Sequence, residues 1–376
     1  MSDFSGKDIT RAGETLIIDG IAEKDRAAFD QAMDVLSYWR ACHEEPLRRA
    51  LAFLTEAAQK VDNKAVAAKR LKRTPSIVRK LQRFKGMSLR SMQDIGGCRA
   101  ILSNEKRVRK LVRELKKRMD FRIRDYITNP KKDGYRSIHL VGDFSQKDGV
   151  RRIIELQIRT AAQHSWATAV EIIDLFTGQA IKTNQGDEDW KRFFLAAGTL
   201  FALIEDIPLY NQIDGNKLKN EIYLRLINPK YPKQHAFQQN CEQLFILADR
   251  LDIIEHFNAY AGSLKAVDER LKRETKSGYI LLIINIKKHE VKGDFYIEER
   301  FNEAAEAYLQ AEKRAAVLEG VVVALVSTDA VGGIKEAYPN YFADSSTFTN
   351  YISTSVNAYK QFNPSGISRL IKKVFS

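Results

Sequence analysis

The chain has 376 residues, with 61 Lys and Arg against 48 Asp and Glu, a formal charge of +13 and 44% apolar residues. This is the balance of a soluble globular protein with room for two or three domains, and it excludes a disordered or fibrous chain. No apolar run of roughly eighteen residues occurs, which excludes a transmembrane helix. The N-terminus lacks an apolar signal region, and three widely spaced cysteines fit a reducing, cytoplasmic setting without disulfides or zinc. The excess of cations points to polyanions such as nucleotides or RNA.

Residues 24–61 read as two helices parted near Glu45 and Pro46. Phe29, Met33, Leu36 and Trp39 recur at helical spacing, as do Leu47, Leu51, Leu54 and Ala58. Residues 64–90 carry ten Lys or Arg and no acid. Within them Thr74 and Pro75 predict the N-cap and first residue of a helix. Ser76, Lys80 and Arg83 share one face of it. A helix N-terminus favours phosphate through its free N–H groups and dipole. A hydroxyl and cations added there suggest a polyphosphate cradle, the bland alternative being a solvated basic helix. Asp94 stands just ahead of an apolar run after Gly97 that predicts a strand. A carboxylate at that point suits Mg²⁺, which takes one or two carboxylates and bridges phosphates, although a lone Asp is more often a cap or turn residue.

Residues 105–119 predict an amphipathic helix with Val108, Leu111 and Leu115 in its stripe and eight cations over the remainder, which suits an RNA backbone. A strand over 120–127, a turn-rich loop carrying Lys131 and Lys132, and a strand over 135–144 follow. The last puts Tyr135, Ser137 and His139 on one face. An aromatic at a loop mouth flanked by cations suits base stacking. Residues 154–159 then alternate: Ile154, Leu156 and Ile158 to one side, Glu155, Gln157 and Arg159 to the other. A strand with such a polar face predicts one wall of an active site. Helices over 161–178 and 189–206 serve as cover.

From residue 209 the character shifts to a helical connector. Strands over 279–287 and 291–297, a helix over 299–318, a buried strand over 320–327 and a short helix over 332–338 come next. The expected fold class is mixed α/β (α+β). The expected division is an N-terminal helical region (1–46), a catalytic domain (47–208), a helical connector (209–276) and a small C-terminal α/β module (277–376) of regulatory or binding character.

Asp94 and Glu155 on neighbouring strands would share a Mg²⁺, and one of them would accept the proton of an attacking hydroxyl. Arg70, Lys72 and Lys80 would neutralise a triphosphate, and Tyr135 would hold a second base. The expected chemistry is magnesium-dependent transfer from a nucleoside triphosphate to a nucleotide-like acceptor.

Four segments, Arg70-x-Lys72-x-x-x-Ser76-x-x-x-Lys80, Asp94-Ile-Gly-Gly-Cys-Arg99, Gly134-Tyr135-Arg-Ser137-Ile-His139 and Glu155-Leu-Gln157-Ile-Arg159-Thr, occur in that order. Together they resemble the synthetase domain of the RelA/SpoT homologue family, over roughly residues 47–205. The resemblance implies a nucleotidyltransferase-like fold and transfer of the β,γ-pyrophosphate of ATP to a ribose 3′-hydroxyl. It implies that Arg70 and Arg99 sandwich the adenine, that Lys72, Ser76 and Lys80 hold the phosphates, and that Asp94 binds Mg²⁺. Glu155 would share the metal or activate the hydroxyl. Tyr135 would stack the acceptor base, with Lys131, His139, Gln157 and Arg159 completing that pocket. No His-Asp dipeptide occurs, so the family's hydrolase domain is not expected.

The pattern of a basic helix before the Gly134-Tyr135 loop and a second, C-terminal module resembles the fused toxin–antitoxin members called CapRel. That implies a tRNA 3′-CCA acceptor, inhibition by the C-terminal module, and a phage protein as trigger. Tyr338 and Tyr341 have the form of the Tyr-x-x-Tyr motif that blocks the ATP site in that group, with ordinary packing as the alternative. The competing expectations are an alarmone synthetase acting on free guanine or adenine nucleotides, and an inactive RNA-binding protein on the same fold. Intact Asp94 and Glu155 weigh against the last.

Overall fold

Ser5 and Asp8 form a capping box that starts α1 (Gly6–Leu16), a helix within the expected N-terminal helical region, ahead of the two helices placed individually over 24–61. The chain is a computed structural model that describes residues 4–145, 152–177, 187–205, 215–263, 278–285, 288, 290–318, 320–327 and 345–363. After a short α2 (Ile21–Lys24) come α3 (Arg26–Ala41) and α4 (Glu44–Val61). The break between the last two falls at Cys42 and His43, ahead of Pro46, which sits in the first turn of α4 where its missing N–H costs nothing.

Five strands make the first sheet: β1 (Val66–Leu71), β2 (Gly96–Leu102), β3 (Arg122–Asp125), β4 (Ile138–Asp143) and β5 (Ile153–Thr160), in the order β1-β2-β5-β4-β3. Only β2 and β5 run parallel. The architecture is mixed α/β. The alternation of β5 holds: Ile154, Leu156 and Ile158 enter one core with Leu140 and Ala100, under α4 and α6 (Glu105–Arg118). The opposite face carries the polar residues.

Helix α5 (Thr74–Arg83) lies beside that polar face and packs Ile77 and Leu81 with α1 and α3. Its N-cap is Arg73, with no side-chain cap, and Pro75 follows in the first turn. The expected N-cap, Thr74, is instead the first helical residue. Its hydroxyl is engaged elsewhere, as described below.

Helices α7 (Ala161–Thr177), α8 (Glu188–Ile204), α9 (Gly215–Ile227), α10 (Gln234–Arg250) and α11 (Ile253–Ser263) follow. A second sheet of β6 (Gly278–Asn285), β7 (Glu290–Ile297) and β8 (Val321–Ser327), ordered β7-β6-β8, is antiparallel and covered by α12 (Phe301–Ala315). The last described helix, α13 (Ser346–Phe362), falls in the range of the expected C-terminal module, yet packs away from that sheet. Its Phe348, Tyr351 and Ile352 join Phe193, Phe201, Leu244 and Phe257 in one core shared by α7 to α11. The short helix expected over 332–338 lies outside the described residues.

Candidate active site

Register places the site. Glu155 is flanked by Gly97 on β2 and Val141 on β4, and Gln157 by Arg99 and His139. Paired residues share a face, so Glu155, Gln157, Arg99 and His139 project together. Arg70, opposite Gly97 on β1, joins them. Asp94, two residues ahead of β2, lines the same crevice as Arg70, Arg99, Glu155 and Gln157. Thus the two carboxylates expected on adjacent elements meet in one cleft.

Glu155 is the end of a hydrogen-bond chain. Arg159 Nη2 donates to Tyr135 Oη at 2.8 Å, and Tyr135 Oη donates to His139 Nε2 at 2.7 Å. His139 Nδ1 in turn donates to Glu155 Oε1 at 2.9 Å. Gln157 Nε2 donates to Glu155 Oε2 at 2.8 Å, and its own Oε1 accepts from Arg159 at 2.7 Å. This tautomer is the one that satisfies every member. Burial alone would raise the Glu155 pKa. The bonds from His139 and Gln157, with the charge of Lys72, hold it well below the usual carboxylate range. Burial pushes His139 down as well, so it stays neutral near pH 7.

Asp94 is held by cations. Lys72 Nζ is 2.9 Å from Oδ2 and Lys80 Nζ 2.8 Å from Oδ1. Burial opposes its ionisation, but the two lysines more than offset that and keep it acidic, against the nearby charge of Glu155. Lys72 itself is depressed by burial. Oδ1 is buried, with Lys80 as its partner among the described residues. Among the described residues no group of three or more His, Cys, Asp or Glu could hold a metal. Magnesium needs less: it takes one or two carboxylates and completes its shell with water and substrate phosphate. The hard oxygen pair of Asp94 and Glu155 fits that ion.

Arg70 and Arg99 both reach the crevice; Arg70 Nη1 also lies 4.0 Å from Glu171 of α7. Ser76 is half-buried on the first turn of α5. Tyr135 precedes β4 rather than belonging to it. Gly134 gives it its position: φ of +90° suits glycine, and its carbonyl lies so close to Gly198 of α8 that a Cβ there would stand 2.8 Å away. The Tyr135 ring is buried between Lys131 Nζ, 4.6 Å from its centroid, and the Arg159 guanidinium at 5.2 Å. Tyr338 and Tyr341 lie outside the described residues.

Residues of the second module reach this domain where the sequence had not drawn attention. Arg40 Nη1 pairs with Glu312 Oε2 at 2.9 Å, and Arg40 Nη2 donates to Tyr308 Oη at 2.7 Å. Thr74 gives Glu312 both its N–H, at 3.2 Å, and its hydroxyl, at 2.6 Å. A carboxylate from α12 therefore caps α5, the helix expected to cradle phosphate. Burial opposes the Arg40 charge, but Tyr308 and Glu312 more than compensate. Nearby, the buried Lys69 pairs with Glu44 at 2.8 Å and donates to Tyr279 at 3.2 Å. The one signal in the sequence was Glu312 itself, a charge at i+3 and i+4 from Leu309 and Tyr308 on an apolar helix face.

Residues 69–172 match the family described as a region found in RelA / SpoT proteins. The chain is 33% identical over 113 residues to GTP diphosphokinase CRSH1, chloroplastic, of Oryza sativa subsp. japonica, covering 29% of this chain and 19% of that one. It is 38% identical over 111 residues to GTP pyrophosphokinase YwaC of Bacillus subtilis, covering 26% and 52%. Among solved structures, the small alarmone synthetase 1 of Bacillus subtilis bound to its product pppGpp aligns at 24% identity, over 45% of this chain and 93% of that one, with a TM-score of 0.38. The chain spans between a fifth and about half of the length of these two curated relatives. Residues 69–172 are therefore similar to the region found in RelA / SpoT proteins.

Proposed function

We propose that the chain is an ATP-dependent pyrophosphokinase. An acceptor ribose 3′-oxygen attacks the β-phosphorus of ATP, the bond from that phosphorus to the α,β-bridging oxygen breaks, and AMP leaves. The attacking hydroxyl's proton passes to solvent water. The observation that carries this reading is the pairing of two ionised carboxylates, Asp94 and Glu155, in a crevice shared with Arg70 and Arg99 and bordered by Lys72 and Lys80. Lys72, Ser76 and Lys80 take the phosphates, and Arg70 and Arg99 the adenine. Asp94 and Glu155 would hold Mg²⁺, which would supply charge neutralisation for the triphosphate. Lys131, Tyr135, His139, Gln157 and Arg159 form the acceptor side.

For the acceptor, the reading is a tRNA 3′-CCA end, with the enzyme restrained by its own C-terminal half as a fused toxin–antitoxin that a phage protein releases. The cap that Glu312 places on α5 supports the restraint. The names of the curated relatives favour a second reading, transfer to free guanine nucleotides. The full chain is incubated with γ-³²P-ATP and deacylated tRNA, or with GDP, GTP or AMP. The comparison is with Glu312→Ala rather than with a truncation, because α9, α10 and α13 share a core with α8 that removal would open. Label confined to free nucleotides sinks the tRNA reading. Label nowhere, in either protein, sinks the enzyme.

A further inference from the structure

Strand β3 is the outer edge of the first sheet, and its residues alternate cleanly between two environments. Ile123 packs into the core under α6, and Asp125 pairs with Arg109 of α6 at 2.9 Å. The intervening residues point the other way. Arg122 is opposite Val141 and Arg124 opposite His139, and those in turn are opposite Glu155 and Gln157. Tyr126, next in the series, sets its ring 5.1 Å from that of His139 and beneath Lys131 Nζ at 4.7 Å. A row of two exposed arginines and a half-buried tyrosine thus runs along the open border of the site face, two strand spacings, or about 10 Å, from β5. Neither arginine makes an ion pair with a described residue, and Arg122 donates only to Gln93 Oε1.

The basic helix α6 stands on the wrong side for this purpose. Its Val108, Leu111 and Leu115 are buried against the opposite face of the sheet, so its exposed cations are separated from the crevice by the sheet itself.

We propose that Arg122, Arg124 and Tyr126 form a track for the single-stranded 3′ end of an RNA acceptor, the arginines on successive phosphates and the tyrosine against a base. The track rests on the pyrophosphokinase reading with a polynucleotide acceptor and names the residues that select it. Residues two apart on a strand are about 6.7 Å apart, a step that a nucleotide backbone can follow, and a cationic row beside an aromatic platform is the arrangement that holds single strands. A free nucleotide, whose phosphates end in one group, fills only part of it.

The test uses the full chain without ATP. Binding of a 5′-labelled tRNA ending in CCA is followed by fluorescence anisotropy between low and moderate salt. Arg122→Ala/Arg124→Ala is expected to weaken binding at least tenfold and to make the salt dependence shallower by about 1.4, two single-strand phosphates at about 0.7 each. Tyr126→Leu is expected to weaken it about tenfold with the salt dependence kept. Lys106→Ala/Lys110→Ala on α6 is the control that leaves both unchanged. Thermal melting confirms that each variant folds. An arginine pair variant that binds and melts like wild type overturns the track, as does a larger loss from the α6 pair or a greater loss for GDP than for RNA. Wild type that binds no RNA but transfers label to GDP overturns the acceptor reading itself, which is a different failure.

Discussion

Glu312 makes the most exacting prediction, because one carboxylate satisfies three partners across two parts of the chain. Replacing it with Ala leaves the Arg40 guanidinium, only 8% exposed, without a counter-charge, and strips the Thr74 N–H and hydroxyl of their acceptor. Removing one partner of a buried pair costs about 3–5 kcal/mol, and the orphaned donors are part of that sum rather than additional to it. Other contacts between the two parts persist, among them Lys69 with Tyr279 at 3.2 Å and Lys313 with Asp34 at 2.5 Å. The loss should therefore appear as undocking of α12, by a factor of about 10² to 4 × 10³ at 1.4 kcal/mol per tenfold. Hydrogen exchange should quicken across α12 and at the Thr74 amide, and transfer from γ-³²P-ATP should rise. Arg40→Met/Glu312→Leu, which removes both charges, should recover most of the docking. Unchanged exchange in Glu312→Ala, or a double variant no better docked than the single one, refutes the reasoning.

Asp94→Asn should lower pyrophosphate transfer by at least about 10², checked by initial rates, with melting to exclude unfolding. His43 is buried, donates from Nδ1 to the Trp39 carbonyl at 2.8 Å, and is pushed down to about 4 by burial, with Arg152 opposing its charge. The unfolded chain takes up a proton below about 6.5 that the native state refuses. Stability is therefore whole above about 6.5 and is lost by about 3 kcal/mol as pH falls towards 4, at about 1.36 kcal/mol per pH unit. Denaturant titrations of wild type and His43→Gln should show a slope shallower in the variant by about this amount, the share of His139 persisting in both. Gly198→Ala sets a methyl 2.8 Å from the Gly134 carbonyl and 3.2 Å from Trp166 Nε1. It should cost about 1–3 kcal/mol in melting experiments and raise the acceptor KM by displacing Tyr135.

The polar wall of the site was legible because a strand has period two: Glu155, Gln157 and Arg159 could only share a face once Ile154 and Ile158 were buried. The capping signal for α1, Ser5 with Asp8, and the helical spacing of Phe348, Tyr351, Ile352 and Tyr359 in α13 were also present in the chain, but short amphipathic segments compete poorly with the loops around them. What local pattern cannot encode is adjacency between distant segments. The insertion of β5 between β2 and β4 follows from closing the sheet. Arg122 and Arg124 look like ordinary surface cations until the register with Val141 and His139 turns them to the site. Arg40 and Glu312, 272 residues apart, look like two solvated charges. Thr74 was read as a cap because its type and its place before Pro75 suit one, while the carboxylate that engages it comes from the other end of the chain.

The acidity of Glu155 bears on its role. A carboxylate held well below its usual range is ionised but a weak base. In the free protein it is therefore better suited to holding a cation or orienting a hydroxyl than to taking a proton at neutral pH. The acidity depends on His139, whose Nδ1–H is donated while its ring stays neutral. His139→Ala removes that donor and leaves Gln157 and the charge of Lys72 to hold the carboxylate. The Glu155 pKa should then rise, and so should the pH at which activity fails on the acid side. On the proposed site Glu155 works ionised, so the acid limb of kcat/KM is expected to move to higher pH in His139→Ala. A merely structural role for His139 predicts a lower rate with an unmoved limb. A limb that stays in place, or moves to lower pH, would show that Glu155 does not govern it.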